Sequence, residues 1–242
     1  MAQNTNDIFN SEFSRQYDAY NERLGEIANN LHLLISLLLN KMPQQARILC
    51  VGVGTGSEII RLAQHHPHWH FTGVDPSPDM LAVCQQKLDP AGIANRCTLH
   101  EDYLSELPAN GDFDAVLCLL VTHFIQHPQR DGIYSQMASQ LKYGGRVITA
   151  EIAGDMHSPA FDEQLEVWTT MHETASQAPR DMAEIKAQLS QRDMAEIKAQ
   201  LSQRLLLLPA ETTEELIEQA GFTPPQRFFQ SLLIHGWTAR KI

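Results

Sequence analysis

Basic residues are scarce in this chain. Its 18 Lys and Arg stand against 29 Asp and Glu, the formal net charge is −11, and no window concentrates the positive side chains. A surface that tracks a phosphate backbone shows itself as a basic stripe, so nucleic acid is disfavoured as a partner. Cysteine is also sparse: Cys50, Cys84, Cys97 and Cys118 form no Cys-x-x-Cys pair and fall mostly within expected strands and helices. Free thiols there behave as small apolar groups, a pattern that suits a reducing cytosol. Long hydrophobic runs are missing as well. The apolar stretch from Leu31 to Leu39 is too short to span a bilayer, and Met1 to Asp7 lacks a basic segment followed by an apolar one. The expectation is a soluble cytoplasmic protein without a membrane partner, monomeric or homodimeric.

What is present is enough for one sizeable α/β core with a small cap, in 242 residues of which 43% are hydrophobic. Residues Ile8 to Leu24 place Phe9, Phe13, Tyr17, Tyr20 and Leu24 on one helical face, and a second helix is expected over Glu26 to Lys41 before Pro43 breaks it. Strand and helix then alternate. Strands are expected to Val51, over Trp69 to Val74, around Cys97 to His100, over Phe113 to Leu119 and over Arg146 to Ile152. Helices are expected over Ser57 to His65, Pro78 to Leu88 and Arg130 to Leu141. Such alternation implies a parallel sheet covered on both faces, with ligands outside the carboxyl ends of its strands.

The most informative segment is Arg47 to Gly56, an apolar run closing in Gly52, Gly54 and Gly56, with a helical pattern from Ser57. Glycine takes positive φ and leaves the peptide bare for a ligand to approach. The next strand stops at Asp75, 19 residues after Gly56, where a carboxylate can accept hydrogen bonds from ribose hydroxyls. These residues resemble the class I S-adenosylmethionine-dependent methyltransferases, whose first motif is a strand ending in Gly-x-Gly-x-Gly and whose second is an acid closing the next strand. The likeness runs over roughly residues 45 to 150, with a weaker echo near Glu214 to Arg240. The nicotinamide dehydrogenase fingerprint would put its third glycine on Ser57. One departure stands out: the family carries an acid two residues before the first glycine, and this chain has Cys50.

The resemblance implies a doubly wound, mostly parallel seven-stranded sheet, S-adenosyl-L-methionine as cofactor and a small-molecule acceptor. It divides the chain into a helical lid at 1–44, a cofactor-binding core at 45–152, a helical cap at 153–208 and a C-terminal helix and hairpin at 209–242. By the same resemblance Gly52, Gly54 and Gly56 hold the cofactor's methionine part, Asp75 with Pro76 the ribose, and Asp102 the adenine amino group. Tyr103 or Leu104 lies against the adenine ring, Met80 borders the adenosine, Leu119 and Leu120 flank the methionine arm, and Tyr17 or Tyr20 reaches its carboxylate from the lid. The bland alternatives are a mere tight turn for the glycines, a helix N-cap for Asp75 and ordinary packing for Met80 and Tyr17. His123 is the candidate base, with Glu151, His157 and His172 also near the expected mouth; His123 capping a helix is the other reading. The cluster His65 to His70 reads as a solvated connector, because its bunching around Pro67 gives no regular ligand geometry.

Four functional readings stay open at this level. They are methyl transfer to a small molecule, a carboxy-S-adenosylmethionine synthase-like activity of tRNA modification, a nicotinamide-dependent oxidoreductase and a non-catalytic cofactor-binding subunit. The cap holds an oddity: the twelve residues 180–191 recur unchanged as 192–203. At 3.6 residues per turn the second copy is rotated by about 120° from the first, so the two apolar sets cannot share a face on one straight helix. A neutral tandem duplication or a sequence artefact stands against a functional extension.

Overall fold

The computed structural model describes residues 25–126, 128–176 and 194–242, with the side chains of 172–176 outside the description. The first element is α1 (Gly25–Leu38), followed by β1 (Arg47–Val51), α2 (Ser57–His65), β2 (His70–Asp75), α3 (Pro78–Leu88), β3 (Cys97–Glu101) and β4 (Phe113–Leu119). Then come α4 (Gln129–Gln140), β5 (Leu141–Ile152), α5 (Pro159–Ser176), α6 (Met194–Arg204), α7 (Ala210–Gln219), β6 (Gln226–Ser231) and β7 (Ile234–Arg240). The seven strands lie in the order β3-β2-β1-β4-β5-β7-β6. β1 to β5 pair in parallel, while β7 runs antiparallel to both β5 and β6. The sheet is therefore mixed, and its order reverses beside β1, which opens a crevice at the carboxyl ends of β1 and β4.

Successive side chains along a strand face opposite ways, so β1 feeds two cores. Ile48 and Cys50 join the core beneath α1, α2 and α3; Leu49 and Val51 join the one beneath α4 and α7. Ser77 caps α3 by accepting the Met80 N–H at 3.3 Å, with Pro78 at the first helical position. β6 starts at Gln226 because Pro224 and Pro225 have no N–H for the ladder. Glu214 of α7 secures the hairpin, accepting Trp237 Nε1–H at 2.8 Å and Arg227 Nη2–H at 2.7 Å.

Differences from the sequence reading sit at element ends. The pattern over Glu214 to Ala220 predicts a helix, and α7 begins four residues earlier, at Ala210, directly after Pro209. β5 extends back to Leu141 through an irregular stretch. Of the duplicated segment only the second copy falls largely within the described residues. There Met194, Ile197 and Leu201 pack with Trp168 against the cluster of Phe161, Leu165 and Leu233, and Lys198 pairs with Asp162. Deleting one copy yields the same sequence whichever is removed, so this apolar face survives. The melting temperature of the shortened chain is expected to stay within about 2 °C of the parent; a larger drop in a thermal unfolding scan would show the extension to be structural. Among the described residues no helix is long and apolar enough to cross a membrane.

Candidate functional site

The glycine loop is built from β1 outward. Gly52 N–H and Val53 N–H both donate to Val74 O, at 2.8 and 3.2 Å, which ties the loop to the end of β2. The three glycines have φ of +64°, +53° and +75°, and their surroundings differ. A Cβ on Gly52 would lie 2.4 Å from a methyl of Val121, and one on Gly56 would lie 2.5 Å from Cys84 Sγ, so both are packing glycines. A Cβ on Gly54 would meet no atom closer than 4.0 Å, because that face opens onto a cleft. At Gly54 bare backbone faces the cleft.

Asp75 closes β2 and holds the loop in this shape. Its Oδ2 accepts the Gly54 N–H at 2.8 Å and its Oδ1 accepts the Ser77 N–H at 2.9 Å. Burial lifts this carboxyl above its ordinary value, and the two backbone donors hold it partly back. Two of about four lone-pair positions are used, so the carboxylate retains acceptor capacity.

The cleft measures about 680 Å³ and runs between α1 and the glycine loop, over the first turns of α2. Leu119, the last residue of β4, and Leu120 form its floor with Ile234. Leu120 is a non-glycine residue at φ +58°, held there as its N–H donates to Ala150 O at 2.6 Å. Backbone held in this region costs on the order of 1–3 kcal/mol and gathers at functional sites.

Polar groups that sequence reasoning missed line the same walls. Glu58, in the first turn of α2, keeps part of its surface open to the cleft, yet burial around its carboxyl pushes it up to about 7. Lys87, which pulls in the opposite direction, donates to Thr55 Oγ1 and Ser57 Oγ, both at 3.2 Å. His32 of α1 also faces the cleft, with Nδ1 2.7 Å from Ala28 O. That contact makes Nδ1 the donor, so Nε2 of the neutral ring is the acceptor. Burial lowers the His32 pKa, outweighing the carbonyl. Arg61 links α2 to α1 through Asn29 Oδ1 at 2.6 Å. The helical spacing of Glu58 and Arg61 was readable, but nothing local distinguishes them from solvent-facing charges.

The expectation for His123 requires correction. Its side chain is 1% exposed, and Nδ1 accepts the Ile152 N–H at 3.2 Å while its carbonyl accepts the Leu206 N–H at 2.7 Å. Burial, with the positive charge of Arg130, brings its pKa down to about 3. A neutral imidazole packed between β5 and Leu206 joins elements, and it stands outside the cleft lining. Glu151 is likewise sealed, accepting from Arg130 Nη2, Thr122 Oγ1 and Thr213 Oγ1, with all four residues fully buried. His157 is exposed.

The other expected contacts are spread more widely. Pro76 is half-buried beside Asp75, and Met80 is buried in the first turn of α3. Asp102 and Tyr103 stand exposed just past β3, outside the cleft lining. Tyr17 and His172 lie outside the described side chains. Cys50 is completely buried, and the same negative Glu58 that faces the cleft acts on it.

Residues 48–145 match the family model described as a methyltransferase domain. A 3-hydroxy-5-methyl-1-naphthoate 3-O-methyltransferase from Streptomyces sahachiroi is 32% identical over 45% of this chain and 31% of its own length. A carboxy-S-adenosyl-L-methionine synthase from Campylobacter lari is 28% identical over 51% of this chain and 52% of its own. The chain thus spans between a third and a half of the length of these curated relatives. Among solved structures, the magnesium protoporphyrin IX methyltransferase of Synechocystis with bound SAH covers 98% of both chains at a TM-score of 0.67 and 17% identity.

Proposed function

We propose that this chain is a class I S-adenosylmethionine-dependent methyltransferase, a reading that the methyltransferase-domain match over residues 48–145 supports, and that it methylates a small-molecule acceptor in the cleft between α1 and the glycine loop. The observation that carries the reading is Gly54. Its bare face opens into a cleft while Asp75 fixes its N–H from behind, and a side chain at this one loop position would occupy space a ligand needs.

S-Adenosylmethionine, when bound, supplies a methyl group on a cationic sulfur that leaves as a neutral thioether. The protein's part is then alignment and exclusion of water. In this reading the Gly52 to Gly54 backbone holds the amino-acid portion, and Asp75 uses its remaining lone pairs on the ribose. Leu119 and Leu120 shield the reacting centre from water. Glu58 takes the place left by Cys50 as the carboxylate that faces the ligand's positive charge. His32 replaces His123 as the base, because its ring lines the cleft and its Nε2 is the proton-accepting nitrogen. Asp102 and Tyr103 close the adenine side after β3. The acceptor is a small molecule, and neither a membrane nor nucleic acid is required.

A second reading keeps the cofactor and adds a carboxylate to it, as the name of the Campylobacter lari relative describes for that protein. Arg61 and Lys87 are the cleft cations that could meet such a group.

Titration calorimetry tests the assignment. S-Adenosylmethionine and S-adenosylhomocysteine are expected to bind and NAD to leave no heat; the reverse would move the chain to the oxidoreductases. The pH dependence identifies Glu58. A carboxyl raised to about 7 in the free protein must lose its proton to meet a cation, so affinity rises with pH. Between pH 6 and 7.5 the ionised fraction grows roughly eightfold, and cofactor affinity with it, while the ligand's α-amino group stays mostly protonated. Glu58→Gln is expected to flatten this profile, and a variant that retains it would clear Glu58 of the role.

A further inference from the structure

At the end of the sheet opposite the glycine loop, β5 leaves its ladder with β4. Phe113 pairs with Leu141 and Ala115 with Arg146, so residues 142–145 stand against Asp114 alone. An insertion of this kind re-aims side chains out of the pleat and is frequent beside functional sites. Here it forms one wall of a second cavity, of about 240 Å³, completed by Lys41 to Pro43 after α1 and by Arg240 at the end of β7. This cavity shares no lining residue with the cleft.

Its charge is out of keeping with the molecule. In a chain of net charge −11, Lys41, Lys142, Arg146 and Arg240 line it against one carboxylate, Asp114. That carboxylate is already engaged, with Lys142 Nζ at 2.7 Å and with the Arg47 N–H at 2.8 Å. The two arginines are direct cross-strand partners in the β5–β7 register, a placement in which like charges repel. Arg146 Nη1 donates to Thr238 Oγ1 and Arg240 Nη1 to Gly144 O, each at 3.0 Å, while Arg146 Nε is buried with no acceptor. Burial and the neighbouring Arg240 charge lower the Arg146 pKa from its ordinary value. Two facing guanidiniums beside a carboxylate that is already engaged call for a counter-charge, and a bound anion supplies it.

We propose that this cavity is a binding site for a phosphate-sized oxyanion, inorganic phosphate or the phosphoryl group of a small molecule, held between Arg146 and Arg240 with Lys41 at the rim. The planar guanidinium fork matches phosphate oxygens in pairs. The acidic remainder of the surface repels a long polyanion, which selects a small phosphorylated ligand over nucleic acid.

The test uses the full chain in inorganic phosphate and in sodium chloride of matched ionic strength. Phosphate is expected to raise the melting temperature saturably where chloride does not, and calorimetry gives its affinity. Arg146→Gln is expected to abolish the rise. Arg240→Gln, at an exposed position and therefore able to fold, is expected to weaken phosphate at least about tenfold. In chloride it should melt no lower than the parent, since losing the Gly144 contact is offset by losing the repulsion. A phosphomonoester binding more tightly than free phosphate would identify a phosphorylated molecule as the ligand, and the opposite order inorganic phosphate. Equal effects of phosphate and chloride overturn the proposal. So does parental phosphate affinity in Arg240→Gln, above all if that variant melts lower, which would make the arginine pair purely structural.

Discussion

Replacing Arg130 with methionine is expected to lower the free energy of unfolding by about 3–5 kcal/mol, a large part of what holds a domain of this size together. Arg130 and Glu151 form an ion pair with both side chains wholly removed from solvent. Taking away the guanidinium leaves the Glu151 carboxylate, among the described residues, with the Thr122 and Thr213 hydroxyls, in a medium too poor in water to solvate it. The pair is imperfect from the arginine's side, since Nε and Nη1 are buried without acceptors. A double replacement, Arg130→Met with Glu151→Leu, is therefore expected to recover most of the loss, because it removes both desolvated charges at once. Guanidinium denaturation of the single and double variants reads this directly. A single variant within about 1 kcal/mol of the parent would contradict the buried-pair account.

Asp75→Ala has the largest expected effect on ligand binding. The substitution removes the acceptor of the Gly54 and Ser77 N–H groups, so the glycine loop loses its tether as well as its proposed ribose contact. Hydrogen bonds to a charged group are worth about 1.5–3 kcal/mol each, so losing even two of them weakens cofactor binding by about a hundredfold or more. Asp75→Asn keeps one acceptor oxygen and is expected to fall between the two. The measurement is calorimetric affinity for S-adenosylhomocysteine, with melting temperature as the control for folding. Alanine at this position with parental affinity would take the carboxylate out of the site and leave it as a structural clasp.

How much could be read beforehand depended on how far each cause reaches along the chain. The helices Ser57–His65 and Pro78–Leu88 emerged with the expected bounds because their signals are local. A glycine at positive φ opens one, and a serine cap with Pro78 behind it opens the other. The C-terminal hairpin was implied by the family resemblance, while its first strand begins only at Gln226, after Pro224 and Pro225. The irregular stretch at 142–145 was not, since a helix end and a strand start bracket it and only pairing with β4 reveals the extra residues. His123 misled because a histidine after a strand end carries no mark of burial. Its ring became inert through Ile152 and Arg130, contributed by other elements. Glu58 and His32 were overlooked for the converse reason: they look like ordinary surface charges until α1 and the glycine loop enclose them.

The sequence alone therefore settled the strand, turn and helix around Gly52 to Gly56 and the acid closing the next strand. φ limits, periodicity and capping act within a few residues and leave their trace in residue order. Packing decided which charged groups are buried and which line the cleft. Glu151 meets partners 21, 29 and 62 residues away, and Arg146 meets Arg240 across two antiparallel strands. Desolvation and charge pairing depend on distance in space, which only the assembled sheet and its covering helices establish.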